Sequence, residues 1–543
     1  MIAFQIPRIL HRLSAGYWLL LALAVLPAHA SRKEEYPGES AKWRRYQSPH
    51  FELFSANSDR DSREVLHNLE LLRALFFENF KLKERQPLEL TIYYFNDKDD
   101  FFKYVTSSMR GNDNLAGYHM SHPDRATIVL SPTWDDEAAR HLVFHEYIHH
   151  LFRISGEDPP LWYNEGVAEL YSSIEIGKDY LELGKPLLWH VASLRQTGLL
   201  PLETLFAVDR SSAIYNTGTH SGQFYAESWA LLHYWYYGQS KLNRDKVAAF
   251  THYISSEDAR TNSELRRKIF RETMGMDYAA MSARLETYVR SGSYSWGKVP
   301  LPLIPPAKSY EWRPMSFAEV RVQLAELDLR ANRSGKSRLA LLREADQVPV
   351  KARIWEVLGA DAWADGEADL AEERWRKALD AGTTNPAVYH ELGLAESHRW
   401  FARFDYYYQM PVELADRLRD LLKHSIAFAP EQSDAYEMLA WIEGSVAKPD
   451  IANVNLVQEK FATLVNKRPT MVALALVRLH LNDQAGALEI LKQVDASGPG
   501  DGLAAVIRLI RSHLKSAETP ATGDGEEKPA PERADSPVFE IQP

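Results

Sequence analysis

Residues 145–149 read His-Glu-Tyr-Ile-His, and after fifteen intervening residues comes Glu165. Two imidazoles four positions apart share a face only if the segment between them is helical. The spacing predicts a helix from Asp135 to Phe152. Asp135, Asp136 and Glu137 would stand in its first turn, and Leu142, Val143, Tyr147, Ile148 and Leu151 would supply its apolar faces. On such a helix His145 and His149 can both reach one Zn2+. Glu146, beside the first of them, can be aimed at a water on that ion as a general base.

A five-residue match means little by itself in a chain with 19 histidines. The downstream residues carry more weight. A catalytic zinc needs three protein ligands and one open position. Residues 159–169 read Pro-Pro-Leu-Trp-Tyr-Asn-Glu-Gly-Val-Ala-Glu, which resembles the W-x-N-E-G-x-A segment of the gluzincin metallopeptidases. The resemblance implies that Glu165 is the third metal ligand. Glu169 would lie one helical turn later, where a carboxylate can accept the second ring N–H of His145 and fix its orientation. The segment Tyr225-Ala-Glu-Ser-Trp-Ala-Leu-Leu232 sits where these enzymes carry a helix opening with a functional tyrosine. The likeness therefore implies that the Tyr225 hydroxyl donates to the oxyanion of a tetrahedral intermediate.

The likeness covers roughly residues 48–290 and is nearest to the peptidase MA-like group of bacterial exported proteins. One departure matters. No G-x-M-E-N segment precedes the histidines; the nearest stretch, Leu115-Ala-Gly-Tyr-His-Met120, lacks its glutamate. Aminopeptidase specificity is therefore not carried over, although this stretch can still offer an edge strand to an extended substrate. Of the other histidines, His141 is expected on the helix surface and His150 in a structural role. His220, His233 and His252 have no motif around them. There is no Gly-rich phosphate loop, no G-x-S-x-G elbow and no cysteine, so nucleotide-dependent, serine-hydrolase and thiol chemistry lack support. A formal net charge of −11 without a long Lys/Arg run argues against nucleic acid.

The expected fold class is α+β. A zincin-like metallopeptidase domain (a small sheet plus active-site helices) would occupy residues 31–298, and an all-α solenoid would come after it. Strands are read at His50–Phe54, Leu88–Phe95 and Ala126–Leu130, and a helix from Ser62 to Phe80. Residues 299–314 hold five prolines and read as a stiff connector between domains. Beyond it, Trp355, Leu358 and Gly359 recur 34 residues later as Tyr389, Leu392 and Gly393, with Ala371, Trp375 and Ala378 between them. A further copy resumes at Tyr436, Leu439 and Ala440. An aromatic insertion (Trp400, Phe401, Phe404, Tyr406, Tyr407, Tyr408) interrupts the array. Residues 315–515 thus resemble tetratricopeptide repeats. Residues 516–543, with five prolines and seven acidic against two basic residues, read as a solvated acidic tail.

At the other end, Arg8 and Arg12 precede the apolar run Gly16–Pro27, and Ala28-His29-Ala30 offers a cleavage site. Residues 1–30 are read as a signal peptide, which implies a secreted or periplasmic protein without a membrane span once the signal is removed. The functional expectation is an exported zinc-dependent peptidase acting on a peptide or protein substrate. The alternative is an envelope scaffold that binds a protein partner through its repeats and carries a structural or inactive zinc domain. Intact Glu146 speaks for the enzyme, since a structural metal site needs no general base. N-terminal sequencing of exported protein should begin at Ser31; a chain still starting at Met1 would contradict the signal.

Overall fold

The computed structural model describes residues 36–85, 88–107, 109, 115–122, 124–133, 137–216, 218–238, 244–255, 259, 262–345, 351–401, 409–465, 467–496 and 503–518. The signal, Asp135 and Asp136, aromatics 404–408 and residues 519–543 lie outside them. The fold is mixed α/β, a small sheet set among many helices. Among the described residues no helix is long and apolar enough to cross a membrane.

The main sheet contains β1 (Arg44–Gln47), β2 (Glu52–Ser55), β3 (Leu90–Tyr94), β4 (Gly117–Ser121), β5 (Ala126–Leu130) and β9 (Glu311–Pro314), in the order β4-β5-β3-β2-β1-β9. β2, β3 and β5 run parallel, while β4, β1 and β9 pair antiparallel. β2 starts two residues later than expected, because Ser48 N–H bonds Phe51 C=O and draws His50 and Phe51 into the preceding turn. Period-two alternation sends Leu53, Ile92, Ile128 and Leu130 into one core, and Phe54, Tyr93 and Val129 into another. With both faces apolar, the sheet needs a helical layer on each side.

The first layer is α1 (Asp59–Phe80) and α3 (Glu137–Ile154). Ser58 caps α1 by accepting from Asp61 N–H, so the helix opens three residues before the predicted start. α3 buries Val143, Phe144, Ile148, Leu151 and Phe152 against the sheet core. It ends at Ile154, and two residues on Gly156 adopts a φ of +73° that suits a glycine. After Pro159 and Pro160 the chain re-enters a helix as α4 (Leu161–Ser172), which is almost wholly buried. The small sheet strands β6 (Glu175–Ile176) and β7 (Tyr180–Leu183) come next. The helices α5 (Leu188–Thr197), α6 (Leu202–Leu205), α7 (Ala213–Asn216) and α8 (Gly218–Tyr237) then lead to α9 (Arg244–Ile254), α10 (Ser263–Met274) and α11 (Tyr278–Ser291).

The second layer, with α2 (Lys98–Tyr104), comes largely from beyond residue 314. It is formed by α12 (Phe317–Asn332), α13 (Gly335–Glu344), α14 (Lys351–Ala364) and α15 (Ala368–Asp380). Both ends of the Pro-rich stretch are paired in sheets. Its start is part of β8 (Gly297–Pro300), which pairs with β7, and its end is β9, which pairs with β1. Edge strands tolerate proline because one side of the strand has no partner to receive an N–H. The helices beyond form hairpins. A Cβ on Gly359 would stand 2.3 Å from Trp375 Cδ1, so α14 and α15 touch where the glycine recurs. The last helix runs from Ala504 to Glu518, three residues into the stretch read as tail.

A buried ion network ties this layer to the sheet. Arg330 of α12 grips Asp124 at 2.7 and 3.1 Å and Glu326 at 3.0 Å. Arg353 of α14 holds Glu326 at 2.7 Å, and Arg125 meets Glu356 of α14 at 2.9 Å. Removing one partner strands the other in a low-dielectric interior. Arg330→Met should cost about 3–5 kcal/mol of stability, read as a lower urea midpoint. An unchanged midpoint would show that the network holds nothing.

Candidate metal centre

α3 and α4 pack side by side and present their ligands to each other. His145 Nε2 lies 3.1 Å from His149 Nε2, and Glu165 Oε2 lies 3.2 Å from each of them. Three atoms with lone pairs thus form a nearly equilateral triangle. Glu165 is 2% exposed, yet its Oε2 has no hydrogen-bond donor. A tetrahedral ion with bonds of about 2.0–2.1 Å separates its ligands by about 3.3 Å. The residues present therefore fit a metal ion, and His145, His149 and Glu165 can hold one.

The outer atoms of these ligands are also engaged. His149 Nδ1 is 2.6 Å from Asn164 Oδ1. An amide oxygen only accepts, so the proton sits on Nδ1 and the Nε2 lone pair points inward. His145 Nδ1 faces Glu169 Oε1 at 3.5 Å. Glu169 Oε2 also meets His141 Nε2 at 3.1 Å and His190 Nε2, from α5, at 3.0 Å. The second oxygen of Glu165 accepts from the Tyr215 hydroxyl at 3.1 Å.

The electrostatics favour positive charge at the triangle. Burial works against a charge on His145, but the carboxylates of Glu169 and Glu165 outweigh it and push its pKa up to about 9. Burial likewise opposes ionisation of Glu165, yet the facing imidazoles of His145 and His149 draw it down to about 2. Glu169 is buried too, and the surrounding histidines hold it well below the usual carboxylate range.

The remaining expected residues fall nearby. Glu146 has a side chain 36% exposed, with Oε2 3.9 Å from His119 Nδ1 on the edge strand β4. The Tyr225 ring centroid lies 6.2 Å from that of His145 and 6.1 Å from that of Tyr215. Burial and the Glu165 carboxylate raise the Tyr215 hydroxyl, which keeps it a donor.

His141 is not an ordinary surface histidine: it turns inward to Glu169, because α4 and α5 pack over that side of α3. His150 is buried on the opposite side of α3, stacked on Tyr147. His233 bridges Tyr288 OH and Gly184 C=O inside the core. The side chain of His220 lies outside the described residues. Three residues of the site, Asn164, Tyr215 and His190, were not expected from the sequence. Asn164 stood inside the matched segment, adjacent to Glu165. Tyr215 and His190 carried no signal, since only the packing of α5 and α7 brings them here.

No known protein-family model matches the chain, and no curated protein matches it.

Asn164→Ala should weaken metal binding at this centre about 10- to 100-fold by freeing the His149 ring, measured with zinc as the probe by competition with a chromophoric chelator. Wild-type affinity in the variant would mean that Asn164 does not orient the ligand.

Proposed function

We propose that the protein is a zinc-dependent peptidase. The observation that carries this reading is the triangle of His145, His149 and Glu165 on two packed helices, with Glu146 adjacent and more exposed than the ligands. Two nitrogens and one carboxylate oxygen are a donor set that suits zinc, and three protein ligands leave a fourth position for chemistry.

When bound, the ion supplies Lewis acidity toward a carbonyl oxygen and a water of lowered pKa. Glu146 takes a proton from the attacking water and returns it to the departing amine. Asn164 and Glu169 keep the two imidazoles in the orientation the donor set needs. Tyr225, partly exposed beside His145, donates to the oxygen that becomes negative as the carbonyl turns tetrahedral. β4 lies at one end of the sheet, paired on one side with β5, which supports an extended peptide as substrate.

The same reading takes the zinc-binding half as zincin-like and the helices after residue 314 as repeats of the tetratricopeptide kind. The Gly359–Trp375 contact and the buried Tyr389, Leu392, Tyr436 and Leu439 support the latter. It also takes the protein as exported, on the strength of residues 1–30.

The test uses the full chain and an unfolded protein as substrate. A chelator should abolish cleavage, and zinc should restore it. Glu146→Gln should keep zinc but lower turnover roughly 10²–10⁴-fold. Chelator-insensitive cleavage, or a Glu146→Gln variant as active as wild type, would sink the assignment.

A further inference from the structure

Tyr215 belongs to no motif, yet the chain builds a dedicated turn to deliver it. Asp209 Oδ1 accepts from Ser211 N–H at 2.9 Å, from Ser211 Oγ at 2.7 Å and from Ser212 Oγ at 2.8 Å. Asp209 N–H in turn donates to Ser212 Oγ at 3.0 Å, and Tyr215 N–H bonds Ser212 C=O at 3.1 Å. This knot fixes the short helix α7. The Tyr215 ring is then set edge-on to Phe224, at an interplanar angle of 89° with centroids 6.1 Å apart. From there its hydroxyl reaches Glu165 Oε1.

We propose that Tyr215 is a positioning residue of the metal site: by donating to Glu165 Oε1 it commits Oε2 to the ion shared with His145 and His149. A free carboxylate can rotate, or offer both oxygens at once. With Oε1 occupied by a phenol, one oxygen remains, and it is the one without a donor. The Tyr225 ring lies beside that of Tyr215, with centroids 6.1 Å apart. The tyrosines therefore divide the work. Tyr215 acts through Glu165, and Tyr225 lies beside His145. This inference rests on the metal-site reading and not on peptide hydrolysis.

The test is zinc affinity of the full chain, by chelator competition, with melting of the metal-free and zinc-loaded forms. Tyr215→Phe should bind zinc about 10- to 100-fold more weakly. Its metal-free melting temperature should stay at the wild-type value, so that the rise on adding zinc shrinks. Tyr225→Phe should keep wild-type zinc affinity. Tyr215→Gln, which retains a donor, should recover part of the loss. Wild-type affinity in Tyr215→Phe, or an equal loss in Tyr225→Phe, would overturn the proposal. If metal-free Tyr215→Phe does not fold, Asp209→Ala carries the test. It loosens the turn away from the ligands and should also weaken zinc, and unchanged affinity there would overturn the proposal. A wild-type protein that binds no zinc would instead remove the metal site itself.

Discussion

The candidate centre depends on how closely α4 can approach α8. Gly166, next to Glu165, makes that approach possible: a Cβ there would stand 2.6 Å from Ser228 C=O. With only hydrogen on that side, α4 rests on the α8 backbone and turns Glu165 toward α3. α3 is held from behind by the sheet core, through Val143, Ile148 and Leu151. The ligand triangle is thus the narrow space left between two helices, each pressed from outside. Any side chain larger than glycine at 166 would push Glu165 away from the two imidazoles.

Around this space the polar groups are layered by charge. Glu165 and Glu169 are buried carboxylates one turn apart, and four imidazoles surround them: His141, His145, His149 and His190. Buried charge is costly unless it is paired, and here each carboxylate is matched by rings from α3, with His190 added from α5. Histidine suits this task, because it can be a donor on one nitrogen and a ligand on the other. The arrangement pairs every buried charge around the three candidate ligands. Glu146, beside His145, has a side chain 36% exposed.

Much of this was readable from residues alone, for definite reasons. α3 was legible because histidine spacing and apolar periodicity agree. β3 and β5 were legible because aromatic and β-branched runs stood between polar segments. β1 and β9, with sequences RRYQ and EWRP, offered no apolar run. β1 lies inside the sheet, between β2 and β9, yet is only four residues long; β9 is an edge strand hidden inside prolines that argue for a connector. His145, His149 and Glu165 were legible as letters at a spacing. Tyr215 was not, because its place comes from the Asp209 turn and from the packing of α7 on α8. His141 and His190 meet at Glu169 only once α5 lies over α3, which no local pattern announces.

The pairing of β1 with β9 sets an order of events. Arg44 lies opposite Pro314, and Gln47 opposite Glu311. A chain emerging from its N-terminus possesses every residue of the metal site long before it has the strand that finishes the sheet, or α12 and α14 to cover Phe54, Tyr93 and Val129. Until then one face of the sheet stays bare, and the closing loop spans close to half the chain. Such long-range contacts form late, because the entropy of closing the loop comes before the reward of packing. The unfinished molecule therefore holds the candidate metal site on an open sheet, and the C-terminal half serves it as a built-in cover during folding.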